Sequence, residues 1–244
     1  MQTAATLNKI VLCASAALLL VSFWKRNELP PAAVLLPQLA EEPRQRATTK
    51  PPFHVEYSGV SYAVEPKFEY DLDGMVVSYR QHDGESLMHR LANDHLNMAD
   101  LCVVWGSTAA SPHLREIEFW NGIFTCNFQT SSRVAWDSIR TREIANNHLL
   151  SADDVIRREV GRVKIGDQIH VRGWLVSYGN GGHKRGTSIT RDDTGDGACE
   201  TILVDDFEIV RSTFGPWRIA LYASLGVLLL STFVHFRLPY RPYA

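Results

Sequence analysis

The residues best suited to chemistry lie together in one glycine-rich stretch, residues 179–200, which reads GNGGHKRGTSITRDDTGDGACE. Six glycines permit tight turns and close backbone approach, and functional side chains are often presented on loops of this kind. A thiol, an imidazole, three basic groups and four carboxylates alternate with these glycines. Three kinds of site are compatible with this set, and the sequence alone leaves the choice between them open.

The first kind of site is a thiol nucleophile. Cys199 follows the glycine-rich turn, and His148 or His183 is a candidate general base if the fold brings either of them close. A neighbouring cation such as Arg191 favours the thiolate, whereas Glu200 opposes it. The alternative is a small buried cysteine at the start of a strand.

The second kind of site is a calcium loop. Asp192, Asp196 and Gly197 resemble the opening of an EF-hand loop, in which carboxylates alternate before a turn glycine. The pattern departs from that loop at Thr194 and at Leu203, which stands where a bidentate carboxylate is required. The alternative is a β-turn whose aspartates accept backbone hydrogen bonds. No other cofactor is predicted.

The third possibility is a structural role for the charged residues of this stretch, and it is the one we favour. Arginine side chains bind carboxylates in a forked geometry, so they can pin a long loop to a neighbouring sheet. The residues assigned to this structuring role are Arg185, Arg191, Asp192, Asp193, Asp196 and Glu200.

The body around this stretch has a mainly β pattern. Alternation of apolar and polar residues predicts strands at 74–79, 101–105, 124–128, 168–178 and 201–210. Gly173, in the middle of one run, indicates a bulge or sharp bend, a feature of small OB-type barrels. We expect one helix at 86–97 and another that starts within 151–154 and ends at about Val160. The predicted fold is a β-dominated α+β domain, a small antiparallel barrel (OB-like as one form) or a sandwich, between two transmembrane helices.

Two apolar segments, 10–24 and 219–236, stand near the ends of the chain and are flanked by Lys or Arg. Their composition predicts two membrane spans, the first an uncleaved anchor because no small-x-small cleavage site directly follows it. Residues 27–53 contain six of the eleven prolines, which predicts an extended tether. The predicted organisation is a transmembrane anchor at 1–26, a Pro-rich tether at 27–53, a β-rich acidic domain at 54–211, and a transmembrane helix with a short basic tail at 212–244.

Charge and cysteine content narrow the classes of function. Residues 54–211 contain 16 Lys and Arg against 24 Asp and Glu, and an acidic body of this kind disfavours nucleic-acid binding. The body has three cysteines, which permit at most one disulfide, so the chain is not a disulfide scaffold. Whether Cys102 and Cys126 pair is left open.

Four blocks of the body resemble a family of uncharacterised, membrane-anchored proteins of Gram-negative bacteria. The blocks are DLCVVWG (100–106), NNHLL (146–150), RVKIGDQIHVRGWLV (162–176) and TSITRDDTGDGACE (187–200). The charges that flank the two spans leave the side of the body undecided, whereas the resemblance implies an inner-membrane protein with a periplasmic body. The resemblance implies no activity.

The leading hypothesis is a non-enzymatic accessory or scaffold protein of a bacterial envelope assembly, with the membrane and other envelope proteins as partners. It rests on the two anchors, the acidic body and the absence of the GxSxG, HExxH, P-loop and GxGxxG motifs from the sequence. The alternative is an envelope enzyme or metal-binding domain that uses residues 179–200. It would act through Cys199 with His148 or His183, or through calcium at Asp192 and Asp196.

Overall fold

The computed structural model describes residues 2–82, 91–122, 124–192, 199–212 and 215–237. The chain divides into two units, one made of Met1–Glu28 with Phe214–Ala244 and the other of Leu29–Thr213. The described residues form ten strands and five α-helices, most of them strands of one large sheet. The predicted β-dominated α+β class is therefore confirmed.

The first unit consists of two long apolar helices, α1 (Gln2–Lys25) and the C-terminal α5 (Pro216–Arg237). Both are long and apolar enough to cross a membrane, because about 20 residues at 1.5 Å each span the hydrocarbon core. They run antiparallel, since Asn8 Nδ2 donates to the Ser231 carbonyl at 3.1 Å while Arg218 Nε donates to the Arg26 carbonyl at 3.0 Å. Helix α1 begins before the apolar run 10–24, and this extension supplies the length that the run alone lacks.

The second unit, the body, is built on strands joined by short helices. Its strands are β1 (Arg44–Ala47), β2 (Phe53–Tyr57), β3 (Val60–Gln81), β4 (Asn97–Val104), β5 (Glu118–Asn121), β6 (Cys126–Gln129), β7 (Ile144–Leu150), β8 (Gln168–Gly179), β9 (Lys184–Arg185) and β10 (Glu200–Arg211). Its helices are α2 (Gly106–Ala109), α3 (Arg133–Asp137) and α4 (Asp154–Val160), with 3₁₀ turns at Ala32–Val34, Pro37–Ala40, Leu114–Glu116 and Thr141–Glu143.

The long strand β3 organises the sheet because it pairs on both of its edges. Residues 75–81 lie antiparallel to β4, and residues 63–75 lie antiparallel to β8. Strand β4 pairs with β7, β7 with β10, and β10 with β8, so the five pairings form a ring. The two ladders of β3 share only Met75, and the sheet is not a closed barrel.

The strand directions differ from the prediction at one pair. Strands β7 and β10 are parallel, so the sheet is mixed and not purely antiparallel. The cause is the chain path, because β10 enters between β7 and β8 and is antiparallel to β8.

The main core contains side chains from all five strands of the ring. Its members include Leu72, Leu101, Leu149, Ile169 and Ile202, each fully buried. Helix α4 packs its Val160 into this cluster. Apolar burial at alternate positions therefore holds the ring together, as the period-two pattern of the sequence predicts.

The Pro-rich segment packs on the body and is not extended along its length. Leu29 and Leu39 are buried. The Leu36 amide donates to Gln168 Oε1 at 2.7 Å, and Gln168 Nε2 donates to the Val34 carbonyl at 3.0 Å. Proline restricts the backbone here, but the leucines between the prolines supply apolar area, and its burial favours docking over an extended tether.

Residues 105–143, between β4 and β7, form a long excursion that contains the hairpin β5–β6 and helix α3. A disulfide joins Cys126 on β6 to Cys102 on β4, with the Cα atoms 5.4 Å apart. Cys102 packs in a second apolar cluster with Val104, whereas Leu101 belongs to the main core. The excursion therefore covers the face of β4 opposite to the main core, and the disulfide attaches it there.

The five predicted strand runs all coincide with strands, namely β3, β4, β6, β8 and β10. The helix predicted to end at about Val160 is confirmed as α4, and Asp153 caps it by accepting hydrogen bonds from the amides of Val155 and Ile156. The helix predicted at 86–97 is wrong at its end, because Asn97 begins β4. Residues 83–90 of that segment lie outside the described residues.

A substitution at Gly173 tests how closely β8 and β10 pack in the ring. An added Cβ would lie 2.1 Å from the Leu203 carbonyl oxygen on β10, so Gly173→Ala requires backbone movement. We expect this substitution to lower the free energy of unfolding by about 1–3 kcal/mol, measured by thermal unfolding of the full chain in detergent. Gly186→Ala is the matched control, because its Cβ meets nothing within 4 Å. Equal melting temperatures for the two variants would contradict this account of the packing.

Candidate functional site

The glycine-rich stretch leaves β8, turns back through β9 and enters β10. Asn180 Nδ2 donates to the carbonyls of Ala92 at 2.8 Å and Asn93 at 2.9 Å, which ties the start of the stretch to the segment before β4. Near its end, the Ser188 amide donates to the Cys199 carbonyl at 2.8 Å. The described parts of the stretch are therefore held by hydrogen bonds at both ends.

Cys199 lies at the edge of β10 in a polar but enclosed position. Asn146 Nδ2 lies 3.6 Å from its Sγ, and the thiol donates to the Phe124 carbonyl at 3.4 Å. Burial raises the pKa of the Cys199 thiol, and the nearby Glu200 carboxylate raises it further. Less thiolate is present at neutral pH than for an ordinary cysteine, which is the opposite of nucleophile activation.

His148 is hydrogen-bonded to a carboxylate on the neighbouring strand. Its Nδ1 lies 2.6 Å from Asp100 Oδ1, and His82 Nε2 lies 3.1 Å from Asp100 Oδ2. We call these three residues the His-Asp-His cluster. Their side chains are 4%, 0% and 5% exposed for His148, Asp100 and His82, so substrate cannot reach them in this conformation.

Strand register creates the cluster. In the antiparallel β4–β7 ladder, Asp100 stands directly opposite His148. The His82 amide continues the pairing of β3 with β4 by donating to the Met98 carbonyl at 2.9 Å, and this brings its imidazole to Asp100. The cluster therefore joins the end of β3 to the middle of β4 and β7.

The charge of Asp100 is stabilised by its partners. Burial on its own would raise the pKa of this carboxyl, but the hydrogen bond with His148 and the adjacent His82 imidazole outweigh burial and hold the pKa well below its usual range. An ionised carboxylate in the protein interior is tolerated only with such compensation.

Phe124 and Arg185 cover the cluster. The Phe124 ring centroid lies 5.8 Å from that of His148 and 6.4 Å from that of His82. The Arg185 guanidinium lies 3.8 Å from the centroid of the Phe124 ring, a cation–π contact. A carboxylate between two imidazoles is suited to proton transfer, but this cover separates it from solvent, and its observed contacts connect strands.

The remaining residues predicted in the stretch are dispersed. Arg191 donates to the Pro43 carbonyl at 2.6 Å, while Asp192 pairs with Arg142 at 3.0 Å. Glu200 is buried beside Cys199. His183 lines a surface cleft of about 490 Å³ and does not contact Cys199 through any described hydrogen bond. Asp193 and Asp196, and with them the acidic part of the predicted calcium loop, lie outside the described residues.

Sequence reasoning missed His82, Asp100 and Phe124 as partners of the predicted His148 and Cys199. Asp100 had a signal, since it is an acidic residue at the start of the apolar run LCVVW, where burial demands a partner. Phe124 had no such signal in the sequence, because only the folding of the β5–β6 hairpin brings its ring over the His-Asp-His cluster. The structure also shows a separate group of potential metal ligands, Asp71 and Asp73 on β3 and His170 on β8.

No protein-family model, curated protein or solved structure matches this chain. The resemblance to membrane-anchored proteins of Gram-negative bacteria therefore stays an expectation from the sequence blocks, and the site is interpreted from its own geometry.

Asp100→Asn tests the cluster. The substitution keeps the shape but removes the charge that the two imidazoles stabilise, so we expect it to lower the free energy of unfolding at pH 5 by about 2–4 kcal/mol. The folded-state pKa lies below the unfolded value of about 3.9, so this stabilisation is complete above the unfolded value and is lost as pH falls toward the folded one. The difference between wild type and variant should therefore be smaller at pH 3 than at pH 5.

Asp137→Asn serves as the control for this comparison, because Asp137 is an exposed partner of Arg133. We expect this variant to change stability by less than about 0.5 kcal/mol. Chemical unfolding curves at both pH values measure all three proteins. A destabilisation by Asp100→Asn that does not depend on pH would disprove the assigned electrostatics.

The reactivity of Cys199 separates a buried thiol from a nucleophile. In a Cys13→Ala background, Cys199 is the only free cysteine of the chain, since Cys102 and Cys126 form the disulfide. Because its pKa is raised, the rate of iodoacetamide alkylation should have its midpoint above the ordinary thiol value of about 8.5. The same protein unfolded in urea should give the ordinary value. A midpoint below about 7.5 in the folded protein would restore the nucleophile hypothesis.

Proposed function

We propose that this chain is a membrane-anchored, non-enzymatic binding module that assembles with other proteins of a Gram-negative bacterial envelope. The observation that carries the proposal is the exposure of two tryptophans on the 105–143 excursion, Trp120 at 42% and Trp136 at 53%. Tryptophan is enriched among the residues that dominate protein–protein binding energy. Two such side chains on a braced part of a membrane-anchored body favour a protein partner.

The excursion is built as a rigid support for these side chains. The Phe119 and Phe128 rings pack at 6.0 Å, and the Trp136 ring lies 5.8 Å from Phe128. The Cys102–Cys126 disulfide attaches the hairpin to β4. Trp120 follows Phe119 on β5 and therefore projects from the other face of the hairpin. Side chains that are held in place before binding lose little conformational entropy, which is the property expected of docking residues.

The disulfide also supports a position of the body outside the cytoplasm. Disulfides persist in the periplasm and are rare in the reducing cytoplasm. This agrees with the inner-membrane protein and periplasmic body that the family resemblance implies. The two membrane-length helices supply the anchoring that such a module requires.

The rival enzymatic hypothesis has less support because the expected catalytic groups are committed to other contacts. Cys199 has Asn146 and a carbonyl as partners and a raised thiol pKa. His148 is bonded to Asp100 in a closed environment. These contacts favour a structural role for both residues.

Co-purification tests the proposal. Full-length chain extracted from its native membrane with mild detergent should bring down a stoichiometric protein partner. The double variant Trp120→Ala, Trp136→Ala should lose at least about 90% of that partner, since each such anchor contributes 1–2 kcal/mol or more. Its disulfide and melting temperature should stay close to wild type because both side chains are largely exposed.

Val155→Ala and Ile189→Ala are matched controls, because these apolar side chains are 58% and 53% exposed elsewhere on the body. Both should retain the partner. A wild-type chain that purifies alone and monodisperse, or a tryptophan variant that keeps its partner, counts against the proposal.

A further inference from the structure

A second group of chemically capable residues lies on the sheet, away from the glycine-rich stretch and independent of the proposed function. Asp71 and Asp73 on β3 and His170 on β8 each offer one ligand atom, and these atoms all lie within 4.8 Å of one another. We call this group the Asp-Asp-His triad. Residue types and spacing of this kind are those of a metal site.

The backbone ladder holds the triad together. Asp73 stands directly opposite His170 in the antiparallel β3–β8 pairing, and Asp71 lies two residues earlier on the same face of β3. Leu72, between the two aspartates, is fully buried in the main core, so the carboxylates project from the opposite face. The site therefore needs no loop to form it, because all three ligands project from two paired strands.

The distances suit a small divalent cation. His170 Nδ1 lies 3.1 Å from Asp73 Oδ1 and 3.8 Å from Asp71 Oδ1. Ligand bonds of about 2.0–2.2 Å to Zn²⁺ place neighbouring donor atoms about 3.0–3.6 Å apart in tetrahedral or octahedral geometry. The three ligand atoms lie within 4.8 Å of one another, so the side chains have to move closer together to share one ion.

The charges around the triad leave the carboxylates available. Both cross-strand neighbours of Asp71 are arginines, Arg172 on β8 and Arg44 on β1. The ion pair of Arg172 is with Asp205 at 3.7 Å. In the described part of the chain, His170 is the only ion-pair partner within 4.0 Å of Asp71 or Asp73. A cation bound by both carboxylates would offset the repulsion between their charges.

The partial exposure of the three triad side chains is also compatible with metal binding. The side chains of Asp71, Asp73 and His170 are 32%, 25% and 25% exposed, so an ion can enter while the ligands stay partly shielded from water. Glu208 on β10 is the other cross-strand neighbour of His170, which places a further carboxylate-bearing residue beside the triad.

We propose that the Asp-Asp-His triad binds one divalent transition-metal ion, with Zn²⁺ as the ion that suits it best. An imidazole nitrogen with two carboxylate oxygens matches the borderline character of Zn²⁺, whereas Ca²⁺ and Mg²⁺ prefer ligand sets made of oxygen alone. Three protein ligands leave at least one coordination position for water.

Isothermal titration with ZnCl₂ tests the proposal. The full chain is purified in detergent with a tag that lacks histidine, and metal is removed with a chelator that is then dialysed away. We expect one equivalent of Zn²⁺ per chain to bind with a Kd of about 10 µM or tighter. Asp73→Asn and His170→Ala should each weaken binding at least about tenfold, since each removes a direct ligand.

His54→Ala is the matched control, because His54 is an exposed strand histidine on β2 outside the triad. It should bind Zn²⁺ like the wild type. Co²⁺ titration gives a second readout, since visible absorption bands characteristic of protein-bound Co²⁺ should appear with wild type and disappear with Asp73→Asn.

A melting curve separates metal binding from a purely structural role of the triad. Zn²⁺ should raise the melting temperature of the wild type but not that of Asp73→Asn or Asp71→Asn. These two near-isosteric variants keep the test valid if His170→Ala does not fold. Binding weaker than about 10 µM in the wild type, or equally tight binding by the Asp73→Asn variant, overturns the proposal.

Discussion

The double pairing of β3 is the constraint on which the rest of the structure depends. A 22-residue strand that forms one ladder with β4 and another with β8 brings together parts of the chain that are about 100 residues apart. Through the β8 ladder it places Asp73 of the Asp-Asp-His triad opposite His170, with Asp71 two residues away on the same face. Through the β4 ladder it brings His82 to Asp100. Both polar groups are therefore consequences of one strand and its two registers.

Burial of Asp100 makes the register of the sheet specific. Side chains alternate between the faces of a strand, so a slip of one residue would move Asp100 into the main core in place of Leu101. An ionised carboxylate without partners in that core would cost several kcal/mol. The two histidines remove this cost only in the observed register, because only there does Asp100 lie opposite His148. The cluster therefore stabilises the native strand register relative to registers that are shifted by one residue.

The 105–143 excursion carries buried residues with a structural role and exposed residues that are suited to binding. Its inner face supplies Phe124, which covers the His-Asp-His cluster, and Cys126, which is bonded to the sheet. Other positions of the same excursion present Trp120 and Trp136 to solvent. A single insertion thus covers the His-Asp-His cluster and carries two exposed tryptophans. For this reason the groups that seemed suited to catalysis are enclosed, while the groups suited to binding are exposed.

The sequence by itself determined the class of the fold, the five main strands, the capped helix α4 and the two apolar helices. These features depend on local periodicity and on residues close in sequence, as with Asp153 at the start of α4. Only the tertiary structure decided the partners of the chemical groups. Whether Cys199 meets His148, whether Cys102 pairs with Cys126, and whether Asp71, Asp73 and His170 share one position all depend on strand order and register. Those are set by burial summed over the whole sheet, a long-range quantity that no local pattern of residues contains.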